Sequence, residues 1–159
     1  MNSLVLGRLP WFLALALSVP ILAASAQDPP AASATPHLMV APDSLSWQPS
    51  TRTPGLSTAV AEGDPGKPGS FVLMLKIADG AWIPPHWHNV DKRLVVIRGQ
   101  VRMGMGDRLD PAATRLLPAG GIAVVPAGSR HYEGGTGETI VALLATGPFT
   151  TAFVDPPRP

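Results

Sequence analysis

Two of the four histidines, His86 and His88, stand one residue apart in the stretch Gly80-Ala-Trp-Ile-Pro-Pro-His86-Trp-His88. Successive side chains of an extended strand point to opposite faces, so these two imidazoles point the same way. Two imidazoles on one face make half a metal site. A His-x-His pair is also common as satisfied or solvated histidines, so the pair by itself names no metal. A third histidine, His131, follows the turn Ala127-Gly-Ser-Arg130, and Glu133 lies two residues beyond it. On a regular strand His131 and Glu133 share a face. Three neutral imidazoles suit iron, zinc, nickel or copper.

Other chemistries are largely closed. The chain has no cysteine, which excludes disulfides, thiolate metal sites and thiol nucleophiles. No Gly-x-Ser-x-Gly is present, and no glycine-rich phosphate loop precedes a helix. Twelve Lys+Arg face 11 Asp+Glu, with no basic stretch of the kind that binds nucleic acid. Arg93, Arg98, Arg102, Arg108 and Arg130 are spread over strands and turns and read as a solvated face, although Arg130 beside His131 can meet an anion. Trp82, Trp87, Met103, Met105 and Tyr132 either line a pocket for an apolar ligand or pack the core and its mouth.

The elements that must carry these residues are short strands. Phe71–Ile77 is apolar on both faces and reads as a buried strand. Asp79-Gly80 is a turn, and Ala81–His88 is extended. Pro84-Pro85 donates no ladder hydrogen bonds, so that piece should be an edge or bulged strand. Lys92–Arg98, a tight turn at Gly99 and Gln100–Met105 read as a hairpin. Thr114–Leu117 and Gly120–Pro126 follow. His131–Glu133, a turn at Gly134–Gly137, Thr139–Thr146 and Thr150–Val154 complete the series. Short strands are expected at His37–Val40 and Ser57–Ala61, with Trp47 as a packing anchor. About eight to ten strands and no convincing helix argue for an all-β sandwich or barrel.

The 159 residues suit one domain, at 37–159. Before it, residues 1–26 read as a secretory signal peptide. Arg8 is the sole charge, Leu9 to Ala23 is apolar, and Ala24-Ser-Ala26 is a small-x-small cleavage site. An uncleaved anchor is the alternative, but the run is short for a spanning helix and Pro20 interrupts it. Cleavage after Ala26 and export to a bacterial periplasm are therefore expected, with no membrane attachment afterwards. Residues 27–36 are rich in Pro, Ala and Ser and read as a flexible leader.

Two ordered stretches resemble the motifs of the cupin superfamily. Gly80, five residues, His86-x-His88, three residues, position 92, six residues and Gly99 match the first motif except that Lys92 stands where the family has Glu. Gly120, five residues, Pro126-x-Gly128, two residues and His131 match the second, with Gly135 in place of its final Asn. Ile-Pro-Pro-His-Trp-His and Met-Gly-Met-Gly-Asp107 are similar to small single-domain bacterial cupins, most of unassigned function. The resemblance implies a jelly-roll β-barrel with a divalent transition metal (iron, zinc, nickel, copper or manganese) on His86, His88 and His131. It also implies a homodimer.

Lys92 is the departure. A missing carboxylate weakens a metal site, although three-histidine cupins, iron thiol dioxygenases among them, are a family variant. An ammonium beside a divalent cation repels it, and burial and that repulsion push the lysine toward its neutral form. Lys92 can swing to solvent on its flexible stem. It can pair with Glu133 or Asp91, although Asp91 faces the other side of a regular strand. It can hold an anionic substrate, or mark a barrel that has lost its metal. Glu133 is itself a replacement ligand, a partner or an exposed strand residue. Lys92, Glu133, Tyr132 and Met103 are thus the expected lining of the site. Two functions follow: a metal-dependent oxygenase or isomerase for a small molecule, or a non-catalytic module that binds or senses a metal or small ligand.

Overall fold

The architecture follows from strands that are long enough to bend. The structure, a computed structural model, describes residues 38–154. The expected signal peptide and leader, His37 and the last five residues lie outside the described residues. Nine strands run in chain order: β1 (Gln48–Pro49), β2 (Leu56–Glu62), β3 (Gly69–Ile77), β4 (Trp82–His88), β5 (Lys92–Met105), β6 (Thr114–Pro118), β7 (Ile122–Val125), β8 (His131–Gly147) and β9 (Thr151–Phe153). All pairings are antiparallel. The one helical element among the described residues is a 3-10 turn at Pro42–Ser44. No helix there is long and apolar enough to cross a membrane. The expected all-β class holds, as a curled antiparallel sheet.

The hairpin expected around Gly99 does not form. β5 runs straight through it as one strand of 14 residues. Gly99 is instead a bulge: its φ is +71°, and a Cβ there would sit 2.6 Å from the Glu138 carbonyl oxygen. The register against β8 shifts on both sides of Arg98. Because side chains alternate with period two, the shift changes which residues face inward. Lys92, Leu94 and Val96 are buried before the bulge, and Val101 after it. The turn expected at Gly134–Gly137 is likewise absent as a strand break, since β8 spans it in 17 residues. Residues 38–40 of the expected first strand form no regular element.

β8 organises the rest. Its second half lies between β3 and the first half of β5, and its first half lies between β4 and the second half of β5. The main core is Phe71, Leu75, Ile77, Ile83, Leu94, Val96, Val101, Val141 and Leu143. Each such burial contributes roughly 1.5–3 kcal/mol. A smaller cluster of Met74, Ile140 and Ala142 lies on the other face, covered by Leu45 and Trp47. Trp47 is the anchor expected of it: its indole N–H donates to the Pro42 carbonyl, and the Lys76 ammonium lies 4.5 Å from its ring.

Candidate metal centre

β4 is the bulged strand that its prolines predict. Pairing with β8 shifts register between Ile83 and His86, across Pro84-Pro85, which have no N–H to offer. Past the bulge, His86 lies opposite His131 of β8 and Phe153 of β9. His88, two residues on, points to the same side, with Trp87 on the other. All three histidines are buried, at 2%, 4% and 0% exposure for His86, His88 and His131. One donor atom from each lies within 4.8 Å of the other two.

Backbone acceptors settle which ring nitrogen is free. The Nδ1–H of His86 donates to the Pro84 carbonyl at 2.7 Å, and that of His131 to the Ser129 carbonyl at 2.8 Å. His88 Nδ1 lies 3.2 Å from the Thr150 carbonyl and 3.1 Å from Thr151 Oγ1. A carbonyl cannot donate, so the nitrogen facing it carries the proton and Nε2 keeps its lone pair. This is the outer support that metal-binding histidines ordinarily have. The Nε2 atoms of His88 and His131 are buried with no hydrogen-bond partner. Burial, reinforced by the Lys92 charge, pushes the His88 pKa down to about 3 and that of His131 to about 4. Burial also lowers the pKa of His86. The rings are therefore neutral near pH 7, the state in which imidazole binds a metal.

Lys92 does not swing to solvent. It is 1% exposed, and its Nζ lies 3.5 Å from Glu133 Oε1; Glu133 is 2% exposed. The exposed reading of Glu133 therefore fails, and the paired one holds. The carboxylate also stands outside the histidine group, which contains no acid. Burial opposes the charge on Glu133, but the Lys92 ammonium beside it outweighs that and holds its pKa below the usual range. Burial lowers the pKa of Lys92, with Glu133 opposing the fall. Asp91 is engaged elsewhere, accepting from the Ala127 N–H at 2.8 Å. The pair brings no net charge to the site, so a cation on the histidines does not face a bare ammonium. The orphaned, neutral nitrogens fit a divalent transition metal.

His86, His88, Lys92 and Glu133 line one cavity of about 160 Å³. Its other walls include Thr53, Leu73, Leu143, Phe149 and Phe153. Phe149 stacks on His88, with centroids 4.5 Å apart and planes at 23°. Thr53, Phe149, Thr151 and Phe153 had no expected role. They come from the loop before β2 and from the segment around β9, and nothing in their local sequence signals a site. Two expected lining residues lie elsewhere. Tyr132 is on the opposite side of β8 from its neighbours His131 and Glu133, as alternation requires. It is buried beside Trp82 and over Gly104, its hydroxyl donating to the Asp110 carbonyl at 3.0 Å. Met103 packs against the main core and lines a separate hollow with Leu117 and Ala123. Arg130 pairs with Asp107 at the surface.

No curated protein matches the chain in sequence. Among solved structures, the polyketide cyclase RemF from Streptomyces resistomycificus is similar at 16% identity and TM-score 0.59, covering 75% of this chain and 87% of that one. A conserved protein with a double-stranded β-helix domain from Klebsiella pneumoniae is similar at 21% identity and TM-score 0.57, covering 74% and 92%. The salicylate 1,2-dioxygenase from Pseudaminobacter salicylatoxidans is similar at 16% identity and TM-score 0.55, covering 67% of this chain and 32% of that one. At these identities the likeness is one of fold. Residues 65–151 match the model of the family described as Cupin, more than half of the sequence, and the chain belongs to that family.

Proposed function

We propose that the chain is an exported, metal-dependent cupin enzyme that holds one divalent transition metal on His86, His88 and His131 and acts on a small molecule by oxygenase or isomerase chemistry. The observation that carries this reading is the converging set of buried imidazoles with their Nδ1 atoms turned to backbone or hydroxyl oxygens. A metal bound there supplies Lewis acidity and, if it is iron, copper or manganese, one-electron redox chemistry. The chain's own residues do the rest. The carbonyls of Pro84, Ser129 and Thr150 hold the rings in orientation. Phe149 and Phe153 wall the rings and exclude water. Glu133 neutralises Lys92. Fold neighbours named as a dioxygenase and a cyclase give the reaction classes to test first.

A second reading, a module that binds or senses without turnover, is favoured by one observation. A buried lysine stands where the family resemblance would place a fourth, anionic ligand. Elemental analysis of the mature protein, 27–159, decides the metal. About one transition metal per chain, lost in His86→Ala/His88→Ala, supports the site; none after reconstitution overturns it. Turnover of a small oxygenated substrate, abolished in His131→Ala, supports the enzyme. Ligand-dependent thermal stabilisation without turnover supports the binding module.

Export rests on residues 1–26. An exported protein beginning at Gln27 supports it, and a chain kept in the cytoplasm with Met1 intact overturns it. The homodimer rests on family resemblance, and light scattering of the purified protein tests it.

A further inference from the structure

Three polar atoms on the wall of the histidine cavity have no partner: Thr53 Oγ1, Lys92 Nζ and Glu133 Oε2. Their residues are 1%, 1% and 2% exposed. Buried polar groups are nearly always satisfied, so three orphans on one wall need an explanation. They come from three separate parts of the chain: the loop before β2, the first residue of β5 and the third of β8. Lys92 and Glu133 meet by ion pairing, but 3.5 Å is the limit of a hydrogen bond. The ammonium has three protons to give, and the second carboxylate oxygen has lone pairs to fill. A donor and an acceptor thus stand side by side, on two residues that line one cavity.

The pair selects for charge as well as hydrogen bonding. A carboxylate ligand would meet Glu133, and an ammonium ligand would meet Lys92. Either like-charge contact is costly in a buried site. A neutral group with an acceptor beside a donor meets both orphans at once. Leu56, Leu73, Leu75, Ile83 and Leu143 give the cavity an apolar wall that suits a hydrocarbon body, while Ser50, Arg52, Thr58 and Thr151 also line it. The volume, about 160 Å³, is close to that of the engineered cavity of roughly 150 Å³ known to take benzene.

We propose that Lys92 and Glu133 form a recognition pair for a neutral, single-ring-sized ligand carrying a carbonyl next to an N–H or O–H: a lactam, the enol of a dicarbonyl, or an α-hydroxy ketone. The carbonyl accepts from Lys92 Nζ and the N–H or O–H donates to Glu133 Oε2. Thr53 Oγ1 is a third contact on the same wall. The inference rests on the reading of this cavity as the working site, and it names the substrate class for that site.

The probe is 2-pyridone, a neutral ring with carbonyl and N–H adjacent. N-methyl-2-pyridone lacks the donor, and 3-methyl-2-pyridone has the same bulk with the donor kept. Calorimetric titration of the mature protein should give affinities for 2-pyridone and 3-methyl-2-pyridone about tenfold or more above that for N-methyl-2-pyridone, a tenfold step being the scale of one good hydrogen bond. In Lys92→Met/Glu133→Leu the preference should vanish while toluene still binds. Equal affinities in the wild type, binding of none of the pyridones, or a preference that survives in the double variant would each overturn the proposal. The wild-type comparison stands even if the double variant does not fold. Metal content measured on the same samples separates the two readings. Metal-free protein that keeps the preference removes the metal and retains the recognition pair. Metal-loaded protein without the preference removes the recognition pair alone.

Discussion

The interior of this protein has two ends built from the same strands. β5 supplies Lys92 to one and Leu94, Val96 and Val101 to the other; β8 supplies His131 and Glu133 to one and Val141 to the other. Exposure does not distinguish them, since Lys92 and Leu94 are each 1% exposed. What differs is whether the buried atoms are satisfied. The apolar end closes on itself, with Phe71, Ile77, Leu94, Val96, Val101 and Val141 packed in one cluster. The polar end leaves His88 Nε2, His131 Nε2, Lys92 Nζ and Glu133 Oε2 without partners. Equal burial therefore means two things: one end gains stability from being dry, and the other holds unspent bonding capacity.

The sharpest break in this comparison is expected in metal content. His131→Ala should lose the metal altogether, while Val141→Ala, in the apolar end of the same strand, should keep it, as measured by elemental analysis of both proteins after identical reconstitution. Retention of a full equivalent by His131→Ala would remove the polar end's defining property.

Stability comes next. Phe71→Ala should cost about 3–5 kcal/mol by cavity formation. Glu133→Ala should cost a similar ~3–5 kcal/mol for a different reason, because it strands the Lys92 ammonium in the interior. Urea unfolding measures both, and a Glu133→Ala midpoint equal to the wild type would mean that the pair is not buried as described.

Acid should act chiefly on the polar end. In the metal-free protein, His88 and His131 hold pKa values of about 3 and about 4, below the ordinary imidazole value. Between that ordinary value, about 6.5, and roughly pH 4, the unfolded chain binds more protons than the folded one, so stability falls as pH falls. Glu133, also lowered, adds to the loss further down. The urea midpoint should drop steadily from pH 7 to 4.5, and His88→Phe/His131→Phe should flatten the slope; an unchanged slope would place the titration elsewhere.

The smallest change in stability is expected from Lys92→Met/Glu133→Leu. It converts part of the polar end into more of the apolar one. Replacing a buried ion pair by packed apolar residues is often neutral or stabilising. A loss approaching that of Glu133→Ala alone would show that the pair contributes more than mutual neutralisation.

Much of this site was legible along the chain because a strand's alternation is local. His86 and His88 had to share a face, and so did His131 and Glu133. The bulge in β4 followed from two prolines without N–H groups. Gly99 misled for an instructive reason. A glycine with positive φ serves a turn or a bulge equally well, and only the partner strand decides between them. Gly99 has β8 running alongside it, so β5 continues instead of reversing. Tyr132 was placed in the site by proximity to His131, although the same alternation sends it to the opposite face.

The sequence by itself determined the all-β class, the family motifs and the three imidazoles, because spacing, turn residues and ligand type are properties of short stretches. Tertiary structure alone decided the partner of Lys92. Positions 92 and 133 sit on different strands, and neither neighbours the other in register. Only the curl of the sheet brings Nζ within 3.5 Å of Oε1 across the interior. It also brings Thr53, Phe149 and Phe153 to the same cavity. A local pattern fixes the face on which a side chain lies, and the closure of the sheet fixes what it meets there.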